Sequence, residues 1–196
     1  MSDTQRIHAL NLPVPPTAEL DADVQAAFAA IETAHGLLPN VLRAYAFDQA
    51  KLRPFMQMYD NLMLGESPLT PLQREMIAVV VSAQNRCIYC LTAHGAAVRE
   101  LTADPVLGEL LAMNYHAAPL DQRLRVMLDF ALKVTDASAQ IDQEDRDRLT
   151  EAGFDDRAIW DIAAVAAFFN MTNRMSSALD IVPNTEYHYR SRTPPR

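Results

Sequence analysis

The chain has 196 residues, 49% of them apolar, which is enough for one well-filled core and too few for two. With 25 acidic against 17 basic residues and a formal charge of −8, it lacks the basic face that displaces counterions from phosphate, so nucleic acid is excluded as an expected partner. No apolar run approaches bilayer-spanning length, and Met1 to Leu10 lacks a cationic segment followed by an apolar one, so the expectation is a soluble cytoplasmic protein without a membrane partner.

Alanine, leucine and methionine dominate, glycine is scarce at 5 residues, and apolar residues recur at intervals of three and four, so the fold class expected is all-α. Residues 1–18, with Pro13, Pro15 and Pro16, read as an extended arm, 19–183 as a single helical domain, and 184–196 as an irregular tail. A first helix runs from about Glu19 to His35 and stops at Gly36. Short helices follow at about Asn40–Phe47 and Leu52–Leu64, the latter ending at Gly65.

Thr70-Pro71-Leu72-Gln73 is the sharpest local signal: Thr70 caps, Pro71 fits the first helical position and Gln73 completes a capping box. The helix from Pro71 carries the apolar run Met76–Val81 and fails near Gln84-Asn85-Arg86, and a second helix runs from about Cys87 to Leu101. Helices to about Asn114, Asp136 and Ala152 follow, opened near Pro105, Asp121 and Asp142, and a long last helix from near Asp155 ends before Pro183. A weak echo links Glu75–Val80 to Asp161–Ala166, with Asn173 and Ser176 where the first copy has Cys87 and Cys90. Chance likeness of two apolar helices explains it equally well.

Cys87 and Cys90 are the only 2 cysteines, and three residues apart they are close enough to close a disulfide. In a reducing cytosol such a pair is more often catalytic or metal-binding than a staple, and so small a loop removes little chain entropy. One straight helix would hold Glu75 and His94 roughly 28 Å apart. A central antiparallel helical hairpin turning at Gln84-Asn85 instead sets 75 opposite 94 and 79 opposite 90, so Glu75, His94 and Cys90 converge. His94, one turn beyond Cys90, can take its proton while Glu75 fixes the imidazole tautomer. A thiol with an ordinary pKa of about 8.5 reacts mostly through a minor population, so its anion must be stabilised. A helix start favours Cys87 as the more acidic thiol and the His94 spacing favours Cys90, which leaves the two roles open.

Glu75, eleven residues, Cys87, two residues, Cys90, three residues, His94 resembles the motif of the alkylhydroperoxidase D-like (AhpD-like) proteins of the carboxymuconolactone decarboxylase superfamily. The stretch from Gly36-Leu37-Leu38-Pro39-Asn40 through Glu100, with Phe169-Asn170 and Asn173-Arg174, looks like its peroxidase-related branch. The resemblance implies an AhpD-like helical bundle, a homo-oligomer, and a peroxiredoxin-type thiol peroxidase that reduces hydrogen peroxide or an alkyl hydroperoxide as an antioxidant. It implies Cys90 as peroxidatic, Cys87 as resolving and His94 with Glu75 as proton relay. No bound cofactor is implied, and the reductant is a protein or an external dithiol such as dihydrolipoamide. Where studied members have a His before the second Cys, this chain has Tyr89, named here as a modulator. A phenol with a pKa of about 10 donates a hydrogen bond but is a poor shuttle at neutral pH.

The same four side chains could make a zinc site or a non-enzymatic redox switch, and the superfamily's decarboxylase activity is a further alternative that does not depend on paired thiols. Structural roles are expected for His8, His35, His116 and His188, and packing or subunit contact for Met56, Met58 and Met63. Asp142–Arg148 reads as a solvated face. Trp160, Phe168 and Phe169 either pack the last helix or line a pocket for an organic peroxide.

Overall fold

Thr70 and Gln73 satisfy each other's backbone at the start of the helix that becomes the centre of the protein. The Thr70 hydroxyl accepts from the Gln73 amide at 3.2 Å, and the Gln73 side chain accepts from the Thr70 amide at 2.9 Å. Pro71 sits at the first helical position, where no donor is required. In the computed structural model, which describes residues 6–192, regular structure is helical throughout, with no strand among the described residues. The helices are α1 (Ala22–His35), α2 (Asn40–Tyr45), α3 (Gln49–Tyr59), α4 (Pro71–Gln84) and α5 (Ile88–Thr102), followed by α6 (Pro105–Asn114), α7 (Gln122–Asp136), α8 (Gln143–Glu151), α9 (Asp156–Ala178) and α10 (Thr185–Tyr189). None of them is long and apolar enough to cross a membrane.

From Met76 to Ser82 every residue of α4 is at most 2% exposed. A helix apolar on all sides has to be surrounded, and α5, α6, α7 and α9 pack around it. The long α9 contributes Ile162, Val165, Ala166 and Phe169 to the same core, and α7 contributes Met127, Leu128 and Ala131.

Local chemistry moves several boundaries from the sequence expectation. One 3-10 turn, Thr17–Glu19, precedes α1, and Asp21 stands at its N-cap, so the helix begins at Ala22. It ends at Gly36, whose φ of 71° is the left-handed conformation of a glycine stop. The Asp48 side chain accepts from the Lys51 amide at 3.3 Å and starts α3 earlier than Leu52. A π-helical turn, Asp60–Leu64, follows α3 and ends at Gly65, where a Cβ would fall 2.5 Å from the Asn61 carbonyl oxygen. The buried Arg74 caps that turn, donating to the carbonyls of Leu62 at 3.2 Å and Gly65 at 2.9 Å.

The tail departs most from expectation. Its segment from Asn184 is not irregular but holds α10, because the guanidinium of Arg99, 4% exposed on α5, gathers the carbonyls of Tyr187 at 2.8 Å and Arg190 at 3.0 Å. A five-residue helix is too short to form by propensity, so it rests on this tertiary anchor. The N-terminal segment bends at Ala9-Leu10 and lies against the end of α9 through Ala9 N–H to Leu179 O at 2.8 Å and Val182 N–H to Ile7 O at 2.9 Å. The outermost residues of the expected arm and tail, 1–5 and 193–196, lie outside the described residues.

Replacing Thr70 with Ala removes one half of the reciprocal cap on α4. Urea unfolding should show a loss of about 1 kcal/mol with an unchanged m-value.

Candidate active site

The turn that ends α4 builds the site. Asn85, Arg86 and Cys87 donate their amides to the carbonyls of Val81, Ala83 and Ser82, each at 3.0 Å, and Arg86 adopts a left-handed φ of 54°. The chain thereby folds back, Cys87 becomes the N-cap of α5, and α5 lies against α4. His94 Nδ1 then meets Glu75 Oε2 at 2.7 Å across 19 residues of sequence, with each side chain 12% exposed. A carboxylate at Nδ1 requires the proton there, which leaves Nε2 as the basic nitrogen. The His94 ring stands edge-on to Phe169 with centroids 4.6 Å apart, and Tyr59 lies beyond it at 6.4 Å.

Both cysteines are free thiols and nearly sealed, Cys87 at 1% and Cys90 at 3% exposure. Ile7, Ala44, Tyr89 and Ile181 pack around them, so the arm, α2 and the segment after α9 all cover the pair. The two thiols titrate as a unit. A hydrogen bond from the Cys90 thiol brings Cys87 down to about 6 against the opposing effect of burial, with help from the backbone amides of Cys90 and Tyr89 and the Ser177 side chain. The same hydrogen bond, with burial and the charge on Cys87, pushes Cys90 well above the usual thiol range. Asn173 and Ser176 oppose that rise. The resting negative charge therefore sits at the helix start, on Cys87, and the retained proton on Cys90.

Tyr89 is buried beside the thiols, but its hydroxyl accepts the Val41 amide at 3.0 Å and so pins α2 to α5. Burial pushes this phenol well above its usual value, which removes it as a proton shuttle at neutral pH. Among the described residues no group of three or more His, Cys, Asp and Glu is arranged to hold a metal ion. Of the pocket candidates, Phe168 and Phe169 lie near Tyr59 and His94, whereas Trp160 is 61% exposed on the far side of the α9 register. A surface groove of about 500 Å³, lined by Asp23, Arg53, Met56 and Asp60, is separate from the thiols.

The residues that motif reasoning did not assign lie on α9. Asn173 donates to Ser82 Oγ at 2.9 Å and accepts from Asn85 at 2.9 Å, while Ser176 and Ser177 face the two sulfurs. The sequence echo had set Asn173 and Ser176 in register with Cys87 and Cys90. In the structure α9 runs through from Asp156 to Ala178 without a break, so it is no second copy of the turn, and both residues are buried on it.

Residues 51–131 match the carboxymuconolactone decarboxylase family. The crystal structure of an uncharacterized peroxidase-related protein from Silicibacter sp. TM1040 is 56% identical, with a TM-score of 0.92, over 98% of this chain and 100% of that one. A second uncharacterized peroxidase-related protein, described as an alkylhydroperoxidase AhpD core, from Ralstonia eutropha JMP134, is 40% identical with a TM-score of 0.91, over 93% of this chain and 96% of that one. A debrominase solved with 2,3,4-tribromopyrrole shares the fold at 18% identity and a TM-score of 0.77, over 93% of this chain and 95% of that one.

Thiolate ultraviolet absorbance followed against pH should show one ionisation per chain with a midpoint at about pH 6, absent in Cys87→Ser. Since the folded Cys87 value is lowered, the anion is present above that midpoint and is lost as pH falls through it.

Proposed function

The chain belongs to the carboxymuconolactone decarboxylase family, in its AhpD-like branch, and on that premise we propose that it is a thiol-dependent peroxidase. It reduces hydrogen peroxide or an alkyl hydroperoxide through a Cys87–Cys90 dithiol–disulfide cycle. The observation that carries this reading is a pair of buried thiols, one of them acidic, at the start of α5, the helix whose His94 closes on Glu75 of α4 at 2.7 Å.

In the proposed cycle the Cys90 proton passes to Nε2 of His94, four residues along the same helix face, while Glu75 holds Nδ1–H and stabilises the imidazolium. The Cys90 sulfur attacks one peroxide oxygen. An S–O bond forms as the O–O bond breaks, and the departing alkoxide takes the proton from His94 and leaves as the alcohol. The anion on Cys87 then attacks the sulfur of the Cys90 sulfenic acid, forming the S–S bond and releasing hydroxide, which is protonated to water. An external dithiol of the dihydrolipoamide class, or a protein dithiol, returns two electrons and two protons by exchange. The acidity of Cys87 suits this resolving role, because its anion persists at neutral pH while Cys90 is oxidised.

The working form proposed is a cytoplasmic homo-oligomer, for which the exposed Trp160, Met171 and Met175 along α9 offer an apolar face. A second reading, a redox switch without turnover, is favoured by the burial of both thiols, at 1% and 3% exposure.

Pre-reduced protein with excess dihydrolipoamide should consume peroxide catalytically, and Cys87→Ser and Cys90→Ser should each abolish turnover. Intact mass should trap a sulfenic acid on Cys90 when Cys87 is absent. Glu75→Gln should lower the rate by about 100-fold, the scale of a lost proton relay. Consumption that stops at one peroxide per chain would overturn the enzymatic reading in favour of the switch.

A further inference from the structure

We infer that Ser176 is part of the thiol chemistry, its hydroxyl held in reserve on α9 to donate a hydrogen bond to the Cys90 sulfur when that sulfur carries negative charge. The catalytic consequence rests on the peroxidase reading above, while the interaction itself does not.

The first observation is an anomaly of hydrogen bonding. Ser176 is 2% exposed, and its Oγ has no hydrogen-bond partner. A buried hydroxyl without a partner is a standing destabilisation, and in a native structure it calls for a reason. The ordinary remedy in a helix is to bond the carbonyl four residues back. Thr33, Thr92, Thr102, Thr135 and Thr150 all do so, at 2.7, 2.8, 2.7, 2.9 and 3.1 Å. Ser176 does not, although a carbonyl lies in the same position behind it. Its side chain is directed elsewhere.

Second, the residue stands beside the thiols: its carbonyl accepts from the Ile181 amide at 2.9 Å, and Ile181 packs in the same cluster as Cys87 and Cys90. Asn173 and Ser176, three residues apart on one face of α9, both favour the anionic form of Cys90, whereas Ser177 favours that of Cys87. Asn173 has other employment, since its amide nitrogen donates to Ser82 and its oxygen accepts from Asn85, which fixes it in place. Ser176 has none. With Cys90 protonated and donating to Cys87, the Ser176 hydroxyl faces a neutral sulfur, a poor acceptor. Once Cys90 loses its proton, that sulfur becomes a charged acceptor and the hydroxyl gains a strong hydrogen bond. The group is therefore unsatisfied in the resting state and satisfied in the reactive one, which is stabilisation specific to the attacking species.

The test isolates Cys90 in a Cys87→Ser background and follows its thiolate absorbance against pH, with and without Ser176→Ala. The other titratable groups facing Cys90 are Tyr59 from α3 and Tyr89 from α5, both held above the ordinary phenol range, and His94 with its partner Glu75 one turn along. Ser176→Ala should raise the Cys90 midpoint by about one unit, a ten-fold loss of anion. Ser177→Ala in the same background should leave that midpoint in place. In the intact dithiol protein, Ser176→Ala should slow the first oxidation by peroxide about ten-fold without lowering the thermal midpoint, because an unpartnered hydroxyl contributes nothing to the resting fold. An unchanged Cys90 midpoint overturns the inference, as does an equal shift from Ser177→Ala. Failure of the wild type to turn over peroxide would instead overturn the peroxidase reading and leave the titration result standing.

Discussion

One side-chain amide fixes the geometry of the site. Asn85 follows the last residue of α4, and its single Nδ2 donates both to Asn170 at 3.0 Å and to Asn173 at 2.9 Å on α9. Asn173 in turn donates to Ser82, back on α4. The end of α4 is thus tied at two points, Ser82 and Asn85, to a third helix, in a low-dielectric interior where a half-satisfied amide would be costly. The register of α5 against α4 is carried by the turn itself, through the amides of Asn85, Arg86 and Cys87, and the clasp holds the α4 end of that turn in place. A change of one residue in that register would rotate His94 by about 100° around α5 and break its contact with Glu75.

The same packing governs the thiols through two opposed effects. Burial disfavours charge on both sulfurs, yet the helix-start amides, a hydroxyl and the neighbouring thiol favour it on one of them. The outcome is one shared proton and one shared charge, with the charge at Cys87 and the proton at Cys90. Had either thiol been exposed, solvent would weaken the coupling that separates them. The coverage by Ile7, Ala44 and Ile181 is therefore part of the electrostatics as well as of the core.

Elements remote from the thiols take part in closing the molecule around them. Arg99 on α5 gathers the α10 carbonyls and brings Tyr187 onto the same side as Tyr59 and Glu75, where burial pushes its phenol up to about 12. Tyr89, directly before the second cysteine, is used to hold α2. His94 and Glu75 are thus the pair beside the thiols suited to move a proton, and the surrounding phenols act as neutral walls.

Much of the fold was legible from neighbouring residues alone. Thr70, Pro71 and Gln73 announce the start of α4, Gly36 and Gly65 mark ends, and the break at Asn85-Arg86 places Glu75 near His94, because capping, glycine conformation and apolar periodicity act within a few residues of chain. Three things were settled only by tertiary contact. The tail is helical because Arg99 reaches it, Trp160 faces outward because α9 turns its other side to α4, and Asn173 clasps Ser82 and Asn85 because α9 runs past the end of α4. Sequence fixes which side chains a helix carries at each angle, but which angle faces the thiols depends on how whole helices pack. That choice is made by burial of apolar surface summed over the molecule, and no local stretch contains it.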